Sequence, residues 1–117
     1  MKKFFVLFCI PKTTMDEWMA AVDEPTRKKQ SEDMMRSWQT WTKKNEKSIL
    51  DYGLPVGKTK RITSKGATDA RNDINWYLVI EAESSESAVK ILKEHPHLQI
   101  PGAYIDVSDA SMMGNDK

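Results

Sequence analysis

The sequence has only one cysteine, Cys9, in 117 residues. One cysteine cannot form an intrachain disulfide, and no Cys-x-x-Cys or Cys/His cluster supplies the four ligands of a structural zinc ion. This usage is typical of a reducing compartment, so we expect a cytoplasmic protein. No basic motif next to Cys9 would activate its thiol, and we expect this side chain to be buried and unreactive.

The sequence also lacks an excess of charge of one sign and a long apolar run. Lys and Arg total 18 while Asp and Glu total 17, which gives a formal net charge of +1. Binding to a phosphate backbone usually needs a strongly positive surface, so nucleic acid is not an expected partner. No apolar run approaches the roughly 20 residues of a membrane helix, and no membrane association is expected.

Motifs that identify common enzyme classes are missing as well. The chain has no glycine-rich phosphate loop, no serine nucleophile elbow, no His-Glu-x-x-His motif and no paired-carboxylate motif. A metal ion at His95 and His97 would need a third ligand such as Asp106, and no spacing points to one. We therefore predict neither a cofactor nor a metal site.

The N-terminus imitates a signal peptide, because Lys2 and Lys3 precede an apolar run over residues 4–10. That run is only seven residues long, and no small-x-small cleavage site follows it. Aromatic and β-branched residues dominate it, and Pro11 ends it. A buried β-strand is the better interpretation.

Two helices are predicted to follow this strand. Thr14 and Glu17 have the spacing of a capping box, which indicates the start of a short helix. Pro25 interrupts it and suits the first turn of a second, longer helix that ends at Gly53. Apolar residues recur at near-helical spacing along both helices: Met15, Trp18, Met19, Val22, Met34, Met35, Trp38, Trp41, Ile49 and Tyr52.

The second half of the chain is predicted to contain three strands and one helix. Residues 56–63 alternate in polarity and should form a hairpin with residues 74–82, the strongest strand signal in the chain. Ser84 caps a third helix that Pro96 stops, and a last strand covers residues 103–107. Residues 111–117 are typical of a frayed tail, which leaves a single domain over residues 1–110.

The resulting order, β-α-α-β-β-α-β, predicts an α+β protein with a ferredoxin-like fold. Its four-stranded antiparallel sheet would carry the helices on one face. In residues 74–82 both alternating sets contain apolar residues, with Ile74, Trp76, Leu78 and Ile80 on one side and Tyr77 and Val79 on the other. This indicates that the second face is also covered. A second copy packed sheet against sheet is the simplest cover, so we predict a homodimer.

Several motifs together resemble the YCII-related family, including its DGPF-domain branch. They are Trp38-x-x-Trp41, Ser84-x-x-x-Ala88, the Glu-His-Pro-His-Leu run at 94–98 and the Gly-Ala-Tyr-Ile-Asp-Val run at 102–107. The resemblance extends from about residue 4 to residue 107. It implies a dimeric α/β barrel, in which two ferredoxin-like subunits join their sheets, and it implies relatives that are lyases or dehydrochlorinases.

The chain departs from this family at two motifs. The Asp-Gly-Pro-Phe signature is replaced by Ala-Thr-Asp-Ala-Arg-Asn at residues 67–72. The family's proposed catalytic pair places a histidine early on the long helix and an aspartate before the proline that ends the last helix. Here His95 precedes that proline, and the early long helix has no histidine, so that mechanism does not carry over.

His95 and His97 are the candidate catalytic residues, because histidine titrates near neutral pH and can act as an acid or a base. A structural alternative is that His95 caps the last helical carbonyls while His97 packs or hydrogen-bonds in the loop. Trp38, Trp41 and Asp106 are candidate ligand-pocket residues. The two tryptophans lie three residues apart, where they can line either a core or a cavity.

Two functions remain open from the sequence. The first is a cofactor-independent enzyme that transfers protons on a small aromatic or cyclic molecule, with His95 or His97 as the acid or base. The second is a dimer that binds a small ligand or assists another enzyme without turnover. The sequence does not decide whether the protein is an enzyme.

Overall fold

The computed structural model describes residues 1–110, and the tail predicted for residues 111–117 lies outside the described residues. These residues form six strands, three α-helices and two short 3₁₀ helices at Glu46–Ser48 and Pro96–Gln99. The α-helices are α1 (Lys12–Ala21), α2 (Glu24–Lys44) and α3 (Ser85–Leu92). The strands are β1 (Lys2–Cys9), β2 (Ile49–Asp51), β3 (Thr59–Thr63), β4 (Gly66–Ala70), β5 (Ile74–Ala82) and β6 (Tyr104–Asp109).

Four of the strands form one antiparallel sheet in the order β2-β5-β1-β6. The first strand of the chain is therefore central and pairs with the two longest later strands. The predicted α+β class with a four-stranded antiparallel sheet is confirmed. This strand order is compatible with the ferredoxin-like plan.

The hydrophobic core lies on one face of this sheet. Phe4, Val6 and Phe8 alternate along β1 and are almost fully buried, because every second residue of a strand points to the same face. Helices α2 and α3 cover this face through Trp41 and Leu92. The core residues on the other strands are Ile49, Leu78, Ile80 and Ala82.

The prediction that residues 56–63 form a hairpin with residues 74–82 is wrong. Residues 59–63 pair with residues 66–70 in a separate two-stranded hairpin, and the sheet strand next to β5 is the three-residue β2. Consequently α2 ends at Lys44 rather than continuing to Gly53. Ile49 keeps helical spacing with Trp41 but belongs to β2. An apolar side chain is equally well buried in a strand next to β5, so the spacing alone did not identify a helix.

The helix starts agree only in part with the capping signals. Helix α1 begins at Lys12 after Pro11 and has no side-chain cap, so the predicted capping box of Thr14 and Glu17 does not set its start. Ser84 does cap α3, accepting a hydrogen bond from the amide of Ser87. Within residues 1–110, no helix has both the length and the apolar character needed to cross a bilayer.

We expect Gly53→Ala to destabilise the protein. Gly53 has φ of +72°, and an added Cβ would overlap the carbonyl oxygen of Tyr77 on β5. The free energy of unfolding should fall by at least about 2 kcal/mol, because both the strained φ and the backbone clash act against the folded state.

Urea unfolding of the variant tests this expectation, with Gly57→Ala as the control. A Cβ at Gly57 meets no atom within 4 Å, so this control should change stability by less than about 0.5 kcal/mol. Equal stability of the two variants would contradict the close approach of the Gly53 loop to β5.

Candidate ligand-binding site

An open cleft of about 960 Å³ lies between α1, α2 and the helix-covered face of the sheet. We call it the aromatic cleft, because Trp18, Trp38, Tyr52 and Trp76 contribute to its walls. It exists because α1 buries no residue and α2 buries only Trp41, near its end. α1 and the N-terminal part of α2 therefore leave an unfilled space between themselves and the core.

Hydrogen bonds fix the indole rings on two sides of the aromatic cleft. The Trp18 indole N–H donates to Oε1 of Gln30 at 2.7 Å, which joins α1 to α2. The Trp76 indole N–H donates to the carbonyl of Tyr52 at 2.9 Å, which joins β5 to the loop after β2. Their polar groups are thus satisfied within the protein, and the rings provide apolar contact area.

His95 is a buried, neutral side chain at the start of the second 3₁₀ helix. Its Nδ1 accepts a hydrogen bond from the amide of His97 at 2.9 Å, so the ring proton of the neutral form is on Nε2. The rings of Phe8, Trp38 and Trp41 surround it at centroid distances of 4.6, 4.4 and 4.4 Å. Burial among these rings lowers the pKa of His95 to about 3, and the neighbouring His97 adds to the effect.

His97 borders the aromatic cleft but is also engaged by the protein. Its Nε2 donates to the carbonyl of Cys9 at 2.9 Å, which ties the 3₁₀ helix to the end of β1. Only 2% of the residue is exposed. Burial lowers the pKa of His97, while hydrogen bonds with the backbone of Cys9 and Tyr104 act in the opposite direction.

The structure brings only two of the five candidate site residues to the cleft. Trp38 and His97 lie in its wall. Trp41 and His95 lie behind them, where the Trp41 indole N–H donates to the carbonyl of Ile91 at 3.3 Å. Asp106 is exposed on the opposite face of the sheet, because its neighbours Ile105 and Val107 pack against the core.

Sequence reasoning missed Asn75 as a site residue. The pairing of β1 with β5 shifts at this point, with Phe8 opposite Trp76 and Cys9 opposite Ile74, so Asn75 is the extra residue of a β-bulge. The bulge directs Asn75 to the aromatic cleft. A polar residue between two apolar ones in the strongest strand signal was the available clue.

The described residues contain neither a metal centre nor an activated thiol. Within residues 1–110, no three His, Cys, Asp or Glu side chains lie close enough together to hold a metal ion. Cys9 is 3% exposed, and burial raises the pKa of its thiol, as expected for an unreactive side chain.

No protein-family model matches this sequence, and no curated protein matches it. The functional argument therefore depends on the geometry of the site itself.

We expect the protein to lose stability in mild acid through His95. Its folded pKa of about 3 lies below the ordinary value of 6.5, so at intermediate pH the unfolded chain binds a proton that the folded chain does not. The contribution of His95 is therefore complete above pH 6.5 and is lost as pH falls, at up to about 1.4 kcal/mol per pH unit.

The measurement is urea unfolding at pH 7, 6 and 5 for the native chain and for His95→Asn. Asparagine retains a side-chain acceptor for the His97 amide but has no ring to protonate. The variant should be less stable at pH 7 and lose less stability with acid. An identical pH slope in both proteins would contradict the assignment of His95 as a buried neutral group.

Proposed function

We propose that this chain is a YCII-like, small-molecule-binding protein that acts as a homodimer. The observation that carries the proposal is the aromatic cleft. Only part of the area of its rings packs against the core, so the rest can contact a bound molecule. Binding pockets for small molecules are typically concave and apolar with a few polar groups, and this cleft adds Gln30, Asn75 and Gln99 to its aromatic walls.

Binding without turnover agrees better with the environment of His95 than acid/base catalysis does. A neutral His95 with a pKa of about 3, enclosed by three aromatic rings, is unsuited to proton transfer near neutral pH. Its contacts instead position Trp38, whose side chain packs against the core and also lines the cleft.

We expect Trp18→Ala to weaken binding of a neutral aromatic probe, naphthol, by roughly tenfold, because it removes one wall of the cleft. Helix α1 has no buried residue, so the substitution leaves the core intact. Isothermal titration calorimetry measures the effect. Met19→Ala is the matched control, since Met19 is 54% exposed on the same helix and does not border the cleft. Equal naphthol affinity in both variants, or no binding to the native chain, would contradict the proposal.

The dimer is proposed from the sheet face that the helices leave uncovered. This open sheet face contains Phe5 and Leu7 on β1 beside Tyr77 and Val79 on β5. The rings of Phe5 and Tyr77 lie 5.7 Å apart, and Phe5 is still 38% exposed. An exposed apolar cluster of this kind is stabilised by a second sheet, and twofold pairing places the same face on both sides of the interface.

Light scattering should give twice the 13.4 kDa mass of one chain. Phe5→Glu should shift the protein to a monomer, because it places a charge in the middle of the open sheet face. The control is Ile62→Glu, which changes an 80% exposed residue on the β3–β4 hairpin and should leave the dimer intact. A native monomer at micromolar concentration would exclude the sheet-to-sheet arrangement.

A second candidate function, acid/base catalysis of the lyase or dehydrochlorinase kind, is favoured by one observation. His97 borders the aromatic cleft and is a titratable group there. The two candidates differ in one requirement, because only catalysis needs His97 to exchange a proton with the bound molecule. Catalysis would be favoured if the native chain turned over a substrate and the His97→Gln variant lost this turnover but still bound naphthol.

A further inference from the structure

A second cavity of about 620 Å³ adjoins the aromatic cleft. It lies between the start of α1, the base of the β3–β4 hairpin and the start of β5. Three residues, Ile10, Met15 and Asn75, line both spaces. The two cavities are therefore neighbours that share part of their wall.

The second cavity is lined by more cations than carboxylates. Lys12, Lys58, Lys60 and Arg71 contribute to its wall, and Asp69 and Asp73 are the acidic residues there. We call it the basic pocket. Its charge contrasts with the aromatic cleft, where the rings and methionines dominate the wall.

Both carboxylates of the basic pocket are already engaged. Lys60 forms an ion pair with Asp69 across the hairpin. Asp73 accepts a hydrogen bond from the Tyr104 hydroxyl at 2.9 Å. Arg71 in turn forms two hydrogen bonds, at 2.7 and 3.2 Å, to the carboxylate of Asp16 on α1.

Lys12 and Lys58 are the two cations of the basic pocket that form no ion pair with residues 1–110. Lys12 also lies in the first turn of α1, where the helix dipole disfavours a positive charge and no acidic residue is present. Asp16, one turn further on, attracts Lys12 electrostatically, but its carboxylate is hydrogen-bonded to Arg71. An anion between the two lysines would interact favourably with both charges.

Asn75 supplies a polar group at the junction of the two spaces. Its Oδ1 is buried and has no hydrogen-bond partner. A buried acceptor without a partner is costly, and a hydroxyl or N–H group of a bound molecule would satisfy it. The bulge that places this acceptor at the junction is a feature often found next to functional sites.

We propose that the ligand is an aromatic acid: a ring that carries an anionic group and a hydrogen-bond donor. The ring lies in the aromatic cleft, the donor reaches Asn75, and the anion lies beside Lys12 and Lys58 in the basic pocket. This inference rests on the proposed function and specifies the class of ligand.

The test compares hydroxynaphthoate with its methyl ester, which has the same ring and hydroxyl but no charge. Calorimetry of the native chain should show the acid binding about tenfold more tightly than the ester, with a preference that declines as salt rises. Lys58→Gln and Lys12→Gln should each reduce this preference and leave the affinity for the ester unchanged. Lys65→Gln is the control, because Lys65 is at the hairpin tip and does not border the basic pocket.

The outcomes separate the two proposals. If the native chain binds naphthol and the ester but shows no preference for the acid, the basic pocket is not part of the site, while the aromatic cleft remains a binding site. If the preference exists but is unchanged in both lysine variants, the proposed position of the anion is wrong. If neither naphthol nor the naphthoates bind, the proposed function itself fails.

Discussion

The packing of the neutral His95 ring against Phe8, Trp38 and Trp41 is the interaction on which the rest of the structure depends. It joins β1, the last turns of α2 and the turn before β6 in one contact. Trp41 is the only buried residue of α2, so this contact holds the 21-residue helix to the sheet. The remainder of α2 extends beyond the core, and the space beneath it is the aromatic cleft.

Two apolar surfaces are left after this core has formed, one on each side of the sheet. The aromatic cleft is concave and bordered by polar groups, which suits a small molecule. The open sheet face is formed by regular strands, which suits another sheet. The same strands carry both surfaces, because Trp76 and Leu78 of β5 point to the helices while Tyr77 and Val79 point away.

The sequence predicted elements with strong periodicity or a clear cap well, but it misplaced the end of α2 and missed the short β2. β1, β5 and α3 have strong periodicity or a cap at Ser84, and all three are confirmed. β2 has only three residues, too few to show alternation, and Ile49 continued the helical spacing of α2. β3 alternates in polarity like a strand of the main sheet, but it pairs with the next strand, β4. Alternation within a strand does not indicate which other strand it pairs with.

The candidate site was predicted in the same uneven way. Trp38 and His97 were identified from residue type and spacing, and both border the cleft. Spacing could not show that Trp41 faces the core while Trp38, three residues earlier, also reaches the cleft. Nor could it place Asp106 on the far face or Asn75 in a bulge, since both depend on strand register.

The most direct test of the central claim is a crystal structure of the protein with bound hydroxynaphthoate. We expect the ring between the walls formed by Trp18 and Trp76, and the carboxylate directed toward Lys58. A ring bound on the open sheet face, with the aromatic cleft containing only solvent, would contradict the account.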